Sequence, residues 1–309
     1  MKNRWLAKIV AIVCALFLAT GVMSQTVFAR DDAPEQEVYV PEEPEATFVV
    51  LDGEQDPATP APEVTDNRTT LPVYAGGEQI GQCAVVSGEP YMSVKDFCRS
   101  LDLDAQVIDN GTAVSMAMNG LVLTAQMGQA WFVCNERYIY LENGPQVVDG
   151  TVALPVEDLV KCMGLTAYWD RVRWSLTVED PKVEPLASGG DYYDETDVFW
   201  LSRLIYALAA DQPMEAKISV GSVCVNRIGE DRFAGQNNIY EVIFAKNQFS
   251  VVTNGMIYVQ PDDSCVLAAK LALEGCDLAD GADYVAQSDM GAGYEKVAAF
   301  GSLGFYREA

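Results

Sequence analysis

Residues 200–227 read WLSRLIYALAADQPMEAKISVGSVCVNR, and this stretch predicts two helices joined by a short turn. Three- and four-residue spacing places the apolar residues of the first helix on one side, which faces a core. These residues are Val198, Leu201, Leu204, Ile205 and Leu208. Asp211-Gln212-Pro213 interrupts the pattern, and Pro213 suits the first turn of a second helix because an N–H there would have no intrahelical partner.

The second helix also has a buried side, on which Ala216, Val220, Val223 and Arg227 recur. Further motifs follow along the chain, at Ile239-Tyr240, Val242-Ile243-Phe244, Gln248-Phe249-Ser250, Asn254-Gly255, Ile257-Tyr258 and Pro261. With these motifs in order, the region from about Thr196 to Arg307 resembles the SleB-type cell wall hydrolases, which are spore-cortex-lytic and related muralytic enzymes.

The resemblance implies a mainly helical, lysozyme-like hydrolase domain over residues 196–309. It implies peptidoglycan glycan strands as the partner and cleavage of those strands as the reaction. The residues that it places along the sugar groove are Tyr206, Gln248, Ser250 and Tyr258. For Tyr206 and Tyr258, half-buried packing is an equal alternative to sugar contact.

The family's catalytic glutamate is absent from its expected position. In the family segment Y-A-E-A-R-G-E the first glutamate corresponds to Leu208 and the second to Gln212. Cleavage of a glycosidic bond needs a carboxyl group that protonates the leaving oxygen, and leucine has no proton to give. Leu303 likewise stands where the family's G-N-H-x-F-Y turn has histidine. These replacements predict impaired catalysis.

Two nearby carboxyl groups offer alternatives to a lost catalytic acid. Asp211 lies one turn beyond Leu208, and Glu215 lies in the first turn of the second helix. Asp211 also suits a turn or cap, and Glu215 suits a helix N-terminus, where negative charge is favourable. The sequence therefore leaves open a glycan-cleaving enzyme with a relocated acid and a catalytically inactive module that binds glycan or another envelope protein.

The N-terminal segment has the pattern of a secretory signal peptide over residues 1–29. Lys2, Arg4 and Lys8 precede an apolar run, and Val27-Phe28-Ala29 offers a small-residue cleavage site. This predicts a secreted or cell-envelope protein with no transmembrane segment after signal removal. An uncleaved membrane anchor is the alternative, because the apolar run can be extended to about the minimum spanning length.

Residues 30–70 predict a disordered linker. Between Asp31 and Asp66 there are twelve acidic residues, six prolines and no Lys or Arg, a composition that buries too little apolar surface to fold. The whole chain carries a net charge of −25. Such an acidic protein is unsuited to binding nucleic acid or anionic membranes.

Residues 71–180 contain an internal repeat with an offset of 62 residues. Tyr91–Phe97 resembles Ala153–Leu159, and each copy predicts a strand followed by a helix. Tyr168-Trp169-Asp170 and Trp174–Val178 add a terminal hairpin pattern. The region resembles the copper amine oxidase N-terminal-like stalk domain. The fold class expected for the chain is thus α+β, with a pseudo-repeated stalk module and a hydrolase domain that contains a β-hairpin.

The chain contains no histidine, which excludes Ser-His-Asp and Cys-His catalysis and argues against copper or catalytic zinc sites. We therefore expect no metal and no cofactor. The scattered cysteines favour mainly reduced, buried thiols, with Cys265–Cys276 as a candidate bridge.

The sequence also predicts a linker, a helix, a hairpin and a loop. Residues 181–195 predict a linker between the two domains, and Asp262 or Asp263 is expected to cap a helix that ends near Gly275. Asn254-Gly255 predicts the turn of a hairpin over Gln248–Val259, and Asp277–Glu295 predicts a loop.

Overall fold

The computed structural model describes residues 70–309, except 76, 119, 171–174 and 181–182. The predicted signal peptide and nearly all of the predicted acidic linker lie outside these residues. The described residues fall within one compact unit and combine helices with three sheets, which confirms the α+β class. Within them, no helix combines the length and apolar character that crossing a bilayer requires.

The N-terminal module is built on a seven-stranded sheet in the order β11-β12-β1-β2-β3-β10-β9. β1 and β12 pair in parallel, and the other neighbouring strands pair antiparallel. The strands are β1 (Thr70–Ala75), β2 (Glu78–Val86), β3 (Glu89–Ser93), β9 (Gln146–Val148), β10 (Thr151–Pro155), β11 (Thr166–Asp170) and β12 (Ser175–Asp180).

A second sheet of the module is an antiparallel meander in the order β4-β5-β6-β7-β8. Its strands are β4 (Gln106–Asp109), β5 (Ala113–Met118), β6 (Leu121–Gln126), β7 (Trp131–Cys134) and β8 (Arg137–Tyr140). Two helices, α1 (Val94–Ser100) and α2 (Val156–Met163), bury their apolar sides in the core that both sheets share.

The predicted repeat is present, and its two copies meet at the centre of the seven-stranded sheet. β3 pairs antiparallel with β10 so that Met92 lies opposite Leu154, its own equivalent 62 residues later. Antiparallel pairing of equivalent strands relates the two copies by a local twofold axis. Both strands are almost wholly buried and lead directly into the helices α1 and α2.

The two helices of the repeat also end alike. Asp102 and Gly164, again 62 residues apart, both adopt positive φ angles of 53° and 63°. In each copy the next N–H, from Leu103 or Leu165, donates to a carbonyl five residues earlier at 2.9 Å. This is the hydrogen-bond pattern of a Schellman motif, which satisfies a free carbonyl at the end of the helix.

The C-terminal domain is mainly helical. Its helices are α3 (Gly189–Tyr192), α4 (Glu195–Ala209), α5 (Met214–Asn226), α6 (Ile239–Phe244), α7 (Ser250–Thr253) and α8 (Asp263–Leu273). Helices α4, α5 and α8 form its centre, and Gly221 lets α5 approach α8 closely, since a Cβ there would meet the Cβ of Ala272 at 2.7 Å. Asp194 caps α4 and Asp262 caps α8 through their side chains.

The prediction of a hairpin over Gln248–Val259 is wrong. The segment instead forms α7 and a 3₁₀ turn, Met256–Tyr258. A two-residue Asn-Gly hairpin turn needs positive φ at both residues, but φ is −89° at Asn254 and 82° at Gly255. Because Val251 and Ile257 are both buried, the core draws this segment into helical turns.

The domain's hairpin lies instead at its C-terminal end. Strands β14 (Tyr294–Phe300) and β15 (Leu303–Glu308) pair antiparallel, and β13 (Tyr284–Ala286) adds to the other side of β15. β13 lies within Asp277–Glu295, so the prediction of a loop throughout that stretch was wrong.

A buried ion pair joins the two modules. The guanidinium of Arg137 donates to both carboxylate oxygens of Glu274 at 2.8 and 2.7 Å, and the two side chains are only 9% and 4% exposed. The hydroxyl of Tyr193 also donates to Glu274 at 2.8 Å, and the ring of Tyr192 lies 3.4 Å from the guanidinium carbon. Tyr192 and Tyr193 lie in the stretch expected to link the two domains.

Removing Arg137 should strongly destabilise the protein, because Glu274 would keep a buried charge without its cationic partner. We expect Arg137→Met to lower the free energy of unfolding by about 3–5 kcal/mol, measured by urea denaturation. The control is Arg99→Met, which breaks an ion pair with Asp96 whose side chains are 68% and 47% exposed, and should cost at most about 1 kcal/mol. Equal losses in both variants would contradict the account.

Candidate functional site

Leu208 continues the buried side of α4. Leu201, Leu204 and Ile205 are fully buried in the core of the C-terminal domain, and Leu208 packs against the same core while half-buried. Leu208, the position that the resemblance assigns to the family's glutamate, therefore packs against the core. A carboxyl group here would emerge beside apolar side chains, a setting that favours the protonated form.

An exposed aromatic surface surrounds Trp200 of α4, with rings from α4, α6 and the 3₁₀ turn Met256–Tyr258. Trp200 is the centre, with Tyr240, Phe244 and Tyr258 packed around it at ring-centroid distances of 5.8, 4.9 and 6.2 Å. The ring of Phe199 lies 4.9 Å from the ring of Trp200. Phe199, Tyr240 and Tyr258 are 45%, 49% and 63% exposed, so this aromatic surface presents three rings to solvent. Sequence motifs had selected only Tyr258 of this group as a groove residue.

Arg203 fixes the edge of the aromatic surface. Its guanidinium carbon lies 3.5 Å from the centroid of Phe199, and its Nη2 donates to the side chain of Gln260 at 3.0 Å. The contact joins α4 to the segment after Tyr258. Tyr206 lies one turn further along the helix, where it is half-buried against the core.

Gln248 and Ser250 have different surroundings. The side-chain oxygen of Gln248 accepts a hydrogen bond from Arg227 at 2.9 Å, and Arg227 also donates to the backbone carbonyl of Asp283 at 2.7 Å. Arg227 is 3% exposed, and its burial lowers the pKa of its guanidinium. Gln248 is thus held by the core, whereas Ser250 is exposed at the start of α7.

Gln212, at the family's second glutamate position, anchors the C-terminal hairpin. Its side-chain oxygen accepts hydrogen bonds from the backbone N–H and the hydroxyl of Ser302 at 2.8 and 3.1 Å. Leu303, at the position of the family's histidine, is 4% exposed in the core. Both residues therefore have structural roles here.

The alternative acids lie in different places. Asp211 is exposed and accepts a hydrogen bond from the side chain of Gln212 at 2.8 Å. A further carboxyl group, that of Asp289 in the stretch Asp277–Glu295, accepts a hydrogen bond from the backbone N–H of Gly291 at 3.0 Å and shapes a turn. Glu215 is exposed and lines a cleft between the modules. Of these carboxyl groups, Glu215 alone lines that cleft.

The cleft has a volume of about 680 Å³ and receives side chains from both modules. Its N-terminal wall includes Glu89, Tyr140 and Asp158, and its other wall includes Glu215 and the segment after α8. Burial, together with the negative charge of Glu89, raises the pKa of Asp158 to about 6. Within the described residues, no group of three or more His, Cys, Asp or Glu side chains is arranged to hold a metal ion.

Asp158 should make the folded protein less stable as pH rises from about 4 to about 6. In this range the unfolded chain releases the proton while the folded chain keeps it, so unfolding becomes more favourable with rising pH. Asp158→Asn should therefore raise the free energy of unfolding at pH 7 by about 3 kcal/mol and flatten this pH dependence.

The matched control is Glu157→Gln, which removes an exposed carboxylate from the preceding position. It should leave the fall in stability between pH 4 and 6 in place. Urea denaturation across the pH range measures both effects, and an unchanged slope in Asp158→Asn would contradict the assignment.

Two family models match the chain in the order predicted. Residues 211–306 match the family described as Cell Wall Hydrolase, and residues 81–178 match the Copper amine oxidase N-terminal domain. The chain therefore carries a cell wall hydrolase domain at its C-terminus and a copper amine oxidase N-terminal domain before it, which confirms both resemblances. The first match begins three residues after Leu208.

Curated relatives match the same C-terminal region. The chain is 31% identical over 97 residues to the spore cortex-lytic enzyme of Halalkalibacterium halodurans, a match covering 31% of this chain and 29% of that protein. It is 29% identical over 97 residues to the spore cortex-lytic enzyme of Bacillus subtilis, covering 31% of each. The chain thus spans about a third of the length of these relatives.

Among solved structures, the catalytic domain of the Bacillus cereus SleB protein is similar to this chain. The identity is 23%, and the match covers 37% of this chain and 92% of that domain with a TM-score of 0.34. A TM-score this low supports no conclusion about function.

Proposed function

We propose that the C-terminal domain binds peptidoglycan glycan strands at the cell envelope without cleaving them. The match to the cell wall hydrolase family supports peptidoglycan as the ligand. The observation that carries the proposal is Leu208, which packs against the core where the family's catalytic glutamate would stand. The substitution removes the proton donor and keeps the surrounding helix intact.

The aromatic surface around Trp200 is the proposed contact for the glycan. Pyranose rings present apolar C–H faces, and exposed aromatic rings offer flat apolar surfaces of matching size. Tyr258, Tyr240 and Phe199 lie around Trp200, which contacts each of them edge-on, and Phe244 stacks on Tyr240. Contiguous exposed apolar surface of this kind typically marks a binding site.

The negative charge of the chain limits which interactions can bind it to peptidoglycan. The chain is strongly acidic, and peptidoglycan also carries carboxylates on its peptides, so long-range electrostatics repel the two rather than attract them. Stacking and hydrogen bonds to neutral sugar rings avoid this repulsion. We therefore infer that affinity is weak per site and rises only modestly when salt is added.

The native chain should release no soluble muropeptides from purified peptidoglycan above the buffer control. Leu208→Glu places a carboxyl group in apolar surroundings and should give measurable release. Leu208→Gln, whose side chain has the shape of glutamate without an acidic proton, should give none. Chromatography of the supernatant measures both. Release by the native chain that disappears in Glu215→Gln or Asp211→Asn would instead establish an enzyme with a relocated acid.

Binding should depend on the aromatic surface. Tyr258→Ala removes the most exposed of its rings and should weaken co-sedimentation with peptidoglycan about tenfold, since one aromatic contact contributes about 1.5 kcal/mol. Tyr168→Ala is the matched control, because Tyr168 is 52% exposed on β11 of the other module. Equal binding by both variants would place the glycan elsewhere.

A further inference from the structure

Arg203 places a positive charge at the edge of the aromatic surface. Its Nη1 donates to the backbone carbonyl of Phe199 at 3.2 Å, and its Nη2 donates to the side-chain oxygen of Gln260 at 3.0 Å. Both acceptors are neutral. Within the part of the chain that the structure describes, no carboxylate forms an ion pair with Arg203.

The other described arginines are engaged differently. Four form ion pairs, namely Arg99 with Asp96, Arg137 with Glu274, Arg232 with Asp283 and Arg307 with Glu295. Arg227 is only 3% exposed and bonds to neutral oxygens of the core. The hydrogen bond to a carboxylate raises the pKa of Arg137, whereas burial lowers that of Arg203. Arg203 therefore keeps an uncompensated charge in a chain that is rich in carboxylates.

The guanidinium of Arg203 is held in one orientation. Its carbon lies 3.5 Å from the centroid of the Phe199 ring, and its two hydrogen bonds tie it to α4 and to the segment after Tyr258. The N–H of Nε has no partner among the described residues, and each terminal nitrogen donates one hydrogen bond to them. A planar fork of N–H donors matches a carboxylate, and a side chain already held in place loses little freedom when it binds one.

We propose that Arg203 binds a carboxylate attached directly to a sugar of the glycan. The inference rests on the proposed function, because it is the aromatic surface that brings the sugar to this place. The guanidinium lies against the ring of Phe199, so a sugar stacked on this surface reaches it only with a group close to the sugar ring. Alternate sugars of peptidoglycan carry such a group, a lactyl ether whose carboxyl is amide-linked to the peptide.

The lactyl carboxyl is charged only when that amide has been hydrolysed. Water adds across the C–N bond, the sugar keeps the carboxylate, and the peptide leaves with its amino group. In the intact amide the lactyl group is neutral, and the carboxylates of the peptide lie further from the sugar. The domain therefore prefers glycan strands whose peptides have been removed, and hydrolysis of the bond between glycan and peptide is the class of reaction that supplies its ligand.

Calorimetric titration of the full chain with three soluble ligands tests the proposal. The first is a peptide-free glycan strand, the second is the same strand with its peptides, and the third is a neutral chito-oligosaccharide of equal length. We expect the peptide-free strand to bind about tenfold more tightly than the chito-oligosaccharide, since hydrogen bonds to a charged group contribute at least this much. The strand with peptides should bind like the chito-oligosaccharide, and tighter binding of that strand than of the peptide-free strand would overturn the assignment to the sugar.

Two arginine variants locate the source of the preference. Arg203→Gln should weaken binding of the peptide-free strand about tenfold and leave binding of the chito-oligosaccharide unchanged. Arg99→Gln is the matched control, because it changes the net charge equally at an exposed site of the other module and should keep the preference. A cooperative urea transition checks the fold of each variant. A preference that survives in Arg203→Gln, or that disappears in both variants, would overturn the proposal.

Tyr258→Ala separates this inference from the proposed function. It removes a stacking ring and should weaken binding of the peptide-free strand and of the chito-oligosaccharide by the same factor. If the native chain binds both ligands equally and Tyr258→Ala weakens both, the aromatic surface binds glycan and the role of Arg203 is wrong. If the native chain binds none of the three ligands, the proposed function is wrong and the inference fails with it.

Discussion

A buried ion pair between Arg137 and Glu274 lies at the contact between the modules, where Trp131, Tyr138 and Tyr140 also pack against the C-terminal core. Two charges removed from water are tolerated only when their geometry and hydrogen bonds are good. Here the carboxylate receives two bonds from the guanidinium and one from Tyr193, and the ring of Tyr192 covers the guanidinium. Neither partner can be removed cheaply, because the charge of the other would stay buried at the contact between the modules without a counter-charge. The pair connects the two modules, and Glu274 also lines the cleft between them.

On our proposal, structural residues of the C-terminal domain occupy the positions that the family resemblance assigns to catalysis. Leu208 extends an apolar side of α4, Gln212 holds the turn at Ser302, and Leu303 is buried. Each replacement adds to packing or hydrogen bonding at the position where chemistry would occur. The exposed rings around Trp200 are then the feature that the fold leaves for a ligand.

Sequence periodicity predicted most of the architecture. The apolar spacing in residues 200–227 located α4 and α5, and the 62-residue offset predicted the repeat, because both signals repeat over many residues. The prediction of a hairpin at Asn254-Gly255 was wrong because the local preference of two turn residues is weaker than the gain from burying Val251 and Ile257. The Arg137–Glu274 pair and the hydrogen bonds from Gln212 to Ser302 join residues far apart in the chain. No local pattern reports such contacts, so they required the folded structure.

The central claim is that glycan strands bind at the aromatic surface and are not cleaved. Hydrogen–deuterium exchange of the chain with soluble, peptide-free glycan strands tests this directly, with the glycan's chain length measured before and after. The account predicts slower exchange in α4, α6 and the turn at Met256–Tyr258, and an unchanged glycan length. Protection confined to the cleft around Glu215, or shortening of the glycan, would contradict it.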